Sequence, residues 1–220
     1  MKLYFKYLVY LSVFIGFSSA NAGSYDDFFK AIHFDQVQEV QKLLRRGIDP
    51  NSPNEKGVPA LLVALQSGSP KSAVLLAQEP QTRVEVSNPN NESALMMAAL
   101  HNQIEVATVL IERGAEVNRK GWTPLHYAAT RGHIAMMRLL LENNAYIDAE
   151  SPNGTTPLMM AAYYAPPLAV KLLLEEGADP TLRNQAKATA LDMALANDRK
   201  QSAYYLRAFI EAWEIKEAGE

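Results

Sequence analysis

The stretch Gly121–Asp148 reads GWTPLHYAATRGHIAMMRLLLENNAYID and holds two helix signatures in succession. Thr123 before Pro124 marks a helix start. The threonine can cap exposed amides, and proline at the first helical position surrenders only an N–H that would have had no partner. Leu125 points to a core, while Ala128 and Ala129 are small enough for a second helix to come close. After Gly132 the apolar residues Ile134, Met137, Leu140 and Leu141 recur at helical spacing. Asn144 then supplies a residue able to take the left-handed conformation that ends a helix. One such helix pair cannot bury its own apolar face, so neighbours of the same kind must stack on it to supply the core.

Those neighbours are present. VPALLVAL (Val58–Leu65), SALMMAAL (Ser93–Leu100), TPLHYAAT (Thr123–Thr130), TPLMMAAY (Thr156–Tyr163) and TALDMALA (Thr189–Ala196) align on Leu61, Leu95, Leu125, Leu158 and Leu191, at steps of 34, 30, 33 and 33 residues. A second pattern follows most of them, as in VLIERGAEVN ending at Asn118, LLLENNAYID ending at Asp148 and LLLEEGADPT ending at Thr181. Gly114 and Gly177 stand where a left-handed residue closes a helix. An incomplete version, KLLRRGIDPN, ends at Asn51 with no full motif before it.

The chain resembles the ankyrin repeat family across nearly all of residues 24–220, and the unit Gly121–Asp148 follows the family pattern throughout its length. The resemblance implies an all-α ankyrin-repeat solenoid with short β-hairpin fingers, four full repeats and two caps. The boundaries are 23–56 for an N-terminal cap, 57–90, 91–120, 121–153 and 154–186 for the repeats, and 187–220 for a C-terminal cap. The first unit lacks the Thr-Pro start and mixes Gln, Glu, Lys and Arg with Val37, Val40, Leu43 and Leu44 in its second helix. The last unit ends in a long helix with Ala203, Leu206, Ile210 and Trp213 on one face, and polar ends of this kind keep a stack soluble. The 30-residue step implies one short finger between Asn118 and Gly121. Pro80 should end the second unit's helix early. Met96 and Met159 replace the motif histidine, which removes a local hydrogen bond and substitutes flexible packing.

Residues 1–22, MKLYFKYLVYLSVFIGFSSANA, carry Lys2 and Lys6, an apolar run from Tyr7 to Phe17 and a small-residue end at Ala20-Asn21-Ala22. This is the pattern of a secretory signal, with cleavage expected after Ala22. The run is too short to cross a hydrocarbon core about 30 Å thick. Without the two lysines the formal charge moves from −3 to −5, so a phosphate backbone has little to attract it and nucleic acid is not an expected partner. The chain has no cysteine. Neither a lipid-anchor thiol nor a disulfide is available, and packing alone must hold the fold in an oxidising compartment.

Catalytic chemistry has no visible seat. The four histidines are 33, 101, 126 and 133. No two have zinc-ligand spacing, so no metal or other cofactor is expected. There is no nucleophile elbow and no phosphate-cradling glycine loop. Scattered carboxylates read as solvated helix faces, and nothing assembles nucleophile, base and orienter, so the chain is not expected to be an enzyme. The paired methionines Met96-Met97, Met136-Met137 and Met159-Met160 read as core filling. In the family, the histidine at the place of His126 ties neighbouring loops together.

The same resemblance places a binding face on the concave side, built from hairpin tips, the residue before the motif Thr and the two residues after the Ala-Ala pair. Position by position this gives Val58, Gln66 and Ser67, then Glu92, Leu100 and His101, then Trp122, Thr130 and Arg131, then Thr155, Tyr163 and Tyr164. The expected partner-binding set is Leu100, His101, Trp122, Thr130, Arg131, Thr155, Tyr163 and Tyr164. Tyr, Trp and Arg are the residues most enriched at binding hot spots. The alternative is that both tyrosines merely pack on neighbouring helices with their hydroxyls at the rim. Exported bacterial members of the family resemble this layout, and some protect their own cell by binding an envelope-damaging enzyme. The implied function is therefore non-catalytic protein recognition in the bacterial periplasm, as inhibitor or immunity protein of a cell-wall hydrolase or toxin. The chain is expected to be a monomer when free. An envelope scaffold and a secreted effector that binds a host protein are the alternatives.

Overall fold

The structure, a computed structural model, describes residues 23–218, with side chains to residue 212. The leader, its cleavage point at Ala22 and the side chain of Trp213 lie outside the described residues. Helices come in pairs. The first unit is α1 (residues 23–33) and α2 (Val37–Arg45), followed by α3 (Ala60–Gln66) and α4 (Pro70–Gln78), then α5 (Ala94–Leu100) and α6 (Ile104–Glu112). Next come α7 (Pro124–Arg131) with α8 (Ile134–Glu142), α9 (Pro157–Tyr164) with α10 (Pro167–Glu175), and α11 (Ala190–Ala196) with α12 (Lys200–Ala218). The chain divides after Asn91 into two compact units.

In the second unit the first helices of successive pairs lie side by side, α5 on α7, α7 on α9 and α9 on α11, and the second helices do likewise from α6 to α12. Leu95, Leu125 and Leu158 are fully buried in this layer, and Ala98, Ala99, Ala128, Ala129, Ala161 and Ala162 are sealed where the paired helices meet. Small side chains at these places allow that close approach. Leu191 is only half-buried, since no further first helix stands beyond α11 among the described residues. In the first unit Leu61, Leu62, Leu65 and Leu76 are buried, as are Val40 and Leu43 of α2, while the Gln, Lys and Arg of that helix face water.

The helix starts repeat one device with different atoms. Ser93 Oγ accepts the Met96 amide at 3.2 Å, Thr156 Oγ1 the Met159 amide at 3.3 Å and Thr189 Oγ1 the Asp192 amide at 3.2 Å. Thr123 behaves otherwise. Its hydroxyl lies 2.9 Å from His126 Nδ1, and its carbonyl takes the His126 amide at 3.0 Å. The methionines that stand in for the histidine do not leave the loop amide bare, contrary to expectation. The Ser93 and Thr156 amides approach Met96 and Met159 sulfur at 3.4 and 3.5 Å, distances at which a thioether serves as a weak acceptor.

The fingers are turns. Among the described residues no strand forms; an isolated antiparallel bridge joins Pro53 to Pro59, and bridge residues also stand at Ser87 and Ser93. Asparagines and aspartates clasp one finger to the next. Asn51 donates to the Gln81 carbonyl and accepts from the Arg83 amide. Asn118 does the same with the Asn144 carbonyl and the Tyr146 amide, and Asp148 accepts from the Asp179 amide at 3.1 Å. The finger at residues 113–123 is shorter than those at 143–156 and 176–189, as the 30-residue step predicts. Pro80 does stop α4, with Glu79 extended at φ −63°, ψ 120°, yet α4 keeps the same nine residues as α6 and α8.

Candidate protein-binding surface

The parallel arrangement of α5, α7 and α9 turns sequence registers into rows. Leu100, Thr130 and Tyr163 occupy one register, His101, Arg131 and Tyr164 the next. Leu100 and Thr130 are half-buried, whereas His101, Arg131 and both tyrosines are exposed. Tyr163 and Tyr164 are 37% and 52% exposed and pair with each other, ring centroids 4.3 Å apart. They are thus accessible side chains and not core. Ala165 and Pro166 follow in extended conformation, and Pro167 begins α10. Arg199 Nη2 donates to the Tyr164 carbonyl at 3.0 Å, which fixes the end of α9.

Beside these rows lies a cleft of about 220 Å³, lined by Leu100, Trp122, His126, Tyr127, Thr130 and Met160. Three of the expected residues, Leu100, Trp122 and Thr130, therefore come together. His126, Tyr127 and Met160 are additions. Residues three and four apart on a helix share a face, so Tyr127 lies one turn before Thr130 and Arg131, and Met160 one turn before Tyr163 and Tyr164. That spacing was the signal in the sequence.

The histidine, tyrosine and threonine side chains of the cleft are bonded within the protein. Trp122 sits edge-on to the His126 ring at 5.2 Å. His126 Nδ1 receives the Thr123 amide at 3.1 Å, so it is the bare nitrogen, and Nε2 carries the hydrogen donated to the Thr155 carbonyl at 2.9 Å. Burial, the largest cause, lowers its pKa to about 4. Tyr127 hydroxyl donates to Glu92 at 3.0 Å, and burial and that bond raise the phenol well above its usual range. Thr130 Oγ1 donates to the His126 carbonyl at 2.7 Å. His133 Nε2 lies 3.1 Å from the Leu100 carbonyl. The His101 imidazole is held below its ordinary range by burial, then by the charges of Arg131 and His133.

Thr155 must be withdrawn from the expected set. It is 3% exposed, its amide bonded to Ser151 Oγ at 3.0 Å and its carbonyl taken by His126, so it belongs to the loop tie. In the first unit Val58 is likewise buried, Gln66 is exposed, and Ser67 is half-buried with Oγ 3.4 Å from His33 Nδ1. Among the described residues no group of three His, Asp or Glu is placed to hold a metal ion, and no helix is long and apolar enough to cross a membrane.

Stacked helix pairs joined by clasped fingers define a class of protein-binding scaffold, and comparison with known proteins gives that class its name. A family model described as ankyrin repeats, three copies, matches residues 28–121 and 118–184. The chain belongs to the ankyrin repeat family. It is 31% identical over 156 residues to the nuclear factor NF-kappa-B p105 subunit of Gallus gallus, covering 68% of this chain and 16% of that protein. It is 37% identical over 126 residues to ankyrin repeat and SAM domain-containing protein 6 of Mus musculus, 56% of this chain and 14% of that one. The chain thus spans a small part of the length of these relatives. Among solved structures it is similar to the human ASB11 ankyrin repeat domain, with a TM-score of 0.76 at 27% identity over 83% of this chain and 82% of that chain. It is also similar to a chain of the Bdellovibrio bacteriovorus predatory endopeptidase in complex with an immunity protein, with a TM-score of 0.72 at 26% identity over 83% of this chain and 97% of that chain. Ankyrin repeats mediate binding to protein partners, and the fold is typically a non-catalytic interaction scaffold.

Proposed function

We propose that this chain is a non-catalytic binder exported to the bacterial periplasm, where it inhibits an envelope-acting enzyme as a self-protection protein. The observation that carries the recognition role is the exposed row His101, Arg131 and Tyr164 beside the apolar cleft under Trp122. Aromatics and arginine left in water on a rigid helical layer are what binding hot spots use. The similarity to a chain of an endopeptidase–immunity protein complex supports the inhibitory role, and the leader pattern of residues 1–22 supports export. A rigid binder without chemistry of its own suits stoichiometric inhibition, because covering an active-site mouth requires only shape and complementary groups.

Affinity capture from a periplasmic extract with residues 23–220, followed by mass spectrometry and an activity assay of the captured enzyme, tests this. Stoichiometric loss of the enzyme's activity is the expected result. A captured partner that keeps full activity would make the protein a scaffold, and recovery of the protein mainly in culture medium would argue for a released effector.

A further inference from the structure

The cleft under Trp122 is about 220 Å³, below the range of about 300 to 1,000 Å³ typical of pockets that hold small molecules and cofactors. It suits one side chain. Its walls are Leu100, Trp122, Tyr127, Thr130 and Met160, and its floor is the fully buried His126. Apart from the Trp122 indole N–H, the side-chain polar atoms of the cleft are already used within the protein: both His126 ring nitrogens, the Tyr127 hydroxyl and the Thr130 hydroxyl. An occupant bringing a polar donor inside would strand it, at a cost of a lost hydrogen bond, so the cleft favours an apolar group.

The rim has a different character. His101 follows Leu100, and Arg131 follows Thr130, so both flank the cleft-lining residues at the ends of α5 and α7. Among the described residues neither has an ion-pair partner. Burial, then the neighbouring charges of Arg131 and His133, favours the neutral His101 ring. Arg131 is thus an unpaired cation at the rim of the cleft, in a chain of net charge −3, and can receive an anion from outside.

We propose that the cleft takes one aromatic or long aliphatic side chain from a loop of the protein partner, with a carboxylate of the same loop on Arg131. This rests on the reading of these rows as a recognition surface and specifies its chemistry.

The test uses three capped dipeptides, Ac-Phe-Asp-NH2, Ac-Phe-Lys-NH2 and Ac-Gly-Asp-NH2, titrated into the protein carrying 13C-methyl methionine. The Met160 methyl signal is assigned with Met160→Leu. Ac-Phe-Asp-NH2 should move that signal, and Ac-Gly-Asp-NH2 should not. Ac-Phe-Lys-NH2 should bind about two- to fivefold more weakly than the aspartate peptide, the ratio an exposed ion pair supports. Arg131→Ala, an exposed change, should erase that preference while the phenylalanine still moves Met160. Thr130→Trp should fill the cleft and abolish both, with circular dichroism confirming the fold. Failure of both phenylalanine peptides to move Met160, or equal binding of the Asp and Lys peptides, overturns the proposal. An envelope enzyme inhibited equally by Thr130→Trp and the unaltered protein would also overturn it and leave the immunity reading standing. The expected peptide behaviour with no envelope enzyme captured would support the cleft assignment and remove the immunity reading instead.

Discussion

His126 accepts at Nδ1 a hydrogen bond that only the neutral ring can take, because a second proton on Nδ1 would face the Thr123 amide at 3.1 Å. Its pKa, lowered to about 4 in the fold, stands near 6.5 in an unfolded chain. The stability contributed is therefore complete above pH 6.5, is lost progressively as pH falls toward 4, and is gone below that. The difference amounts to about 3 kcal/mol. Thermal melts from pH 7 to pH 4 should show this slope, with His101 adding in the same direction. His126→Met, the chain's own solution at Met96 and Met159, should flatten the slope by about one proton while costing about 1 kcal/mol at pH 7 for the lost bond to Thr155. Equal slopes in the two proteins would remove His126 as the source. Trp122→Ala should lower stability by only about 1 kcal/mol, since its half-buried ring rests edge-on against His126. A larger fall in melting temperature would make Trp122 a core residue. His126 was legible as a loop tie from the Thr-Pro-Leu-His motif. Thr155 was misjudged because one position before the motif threonine does not by itself say which way a side chain turns. Here the Ser151 hydroxyl and the His126 ring claim its backbone.

Turns between paired helices follow one rule with one exception. Asp35, Asn102 and Asp198 take positive φ between 52° and 54°, Gly68 and Gly132 do so near 68°, and the Tyr164–Pro167 turn has no such residue. A Cβ on Gly132 would come within 2.7 Å of Pro166 Cδ, a ring that cannot swing aside, whereas one on Gly177 would meet open space. Gly132→Ala should therefore cost about 2 kcal/mol or more, and Gly177→Ala about 1 kcal/mol from its backbone angle alone; chemical denaturation of both compares them. Ser202 offers the opposite case. It is fully buried with no partner for its hydroxyl, so Ser202→Ala should leave stability unchanged or raise it by up to about 1 kcal/mol. A clear loss would reveal a partner for that oxygen. The helices and their order were readable from the repeated motif, because proline starts and apolar spacing are local. The cleft was not. It arises where Trp122, Tyr127 and Met160 meet across α7 and α9, and no single element displays it.

Within each compact unit, every helix pair leans chiefly on its immediate neighbours, as in a one-dimensional stack. Native-state hydrogen exchange should thus find the amides of α7 and α9, flanked on both sides, the slowest of the second unit, and those of α12 beyond residue 207 among the fastest. Uniform protection along the unit would mean a single cooperative block. The repeat period announced the stack over nearly the whole chain, but the division after Asn91 was not foreseen. It falls in the segment Pro80–Asn91, where the usual Gly-Ala ending is missing. Two consecutive prolines, finally, have a thermodynamic consequence for the tyrosine pair. Pro166 and Pro167 are restricted before folding begins, so little backbone freedom is left at that corner for an incoming molecule to remove. Whatever lands on Tyr163 and Tyr164 meets a surface whose entropy was spent in folding, and association there should carry a small ordering penalty.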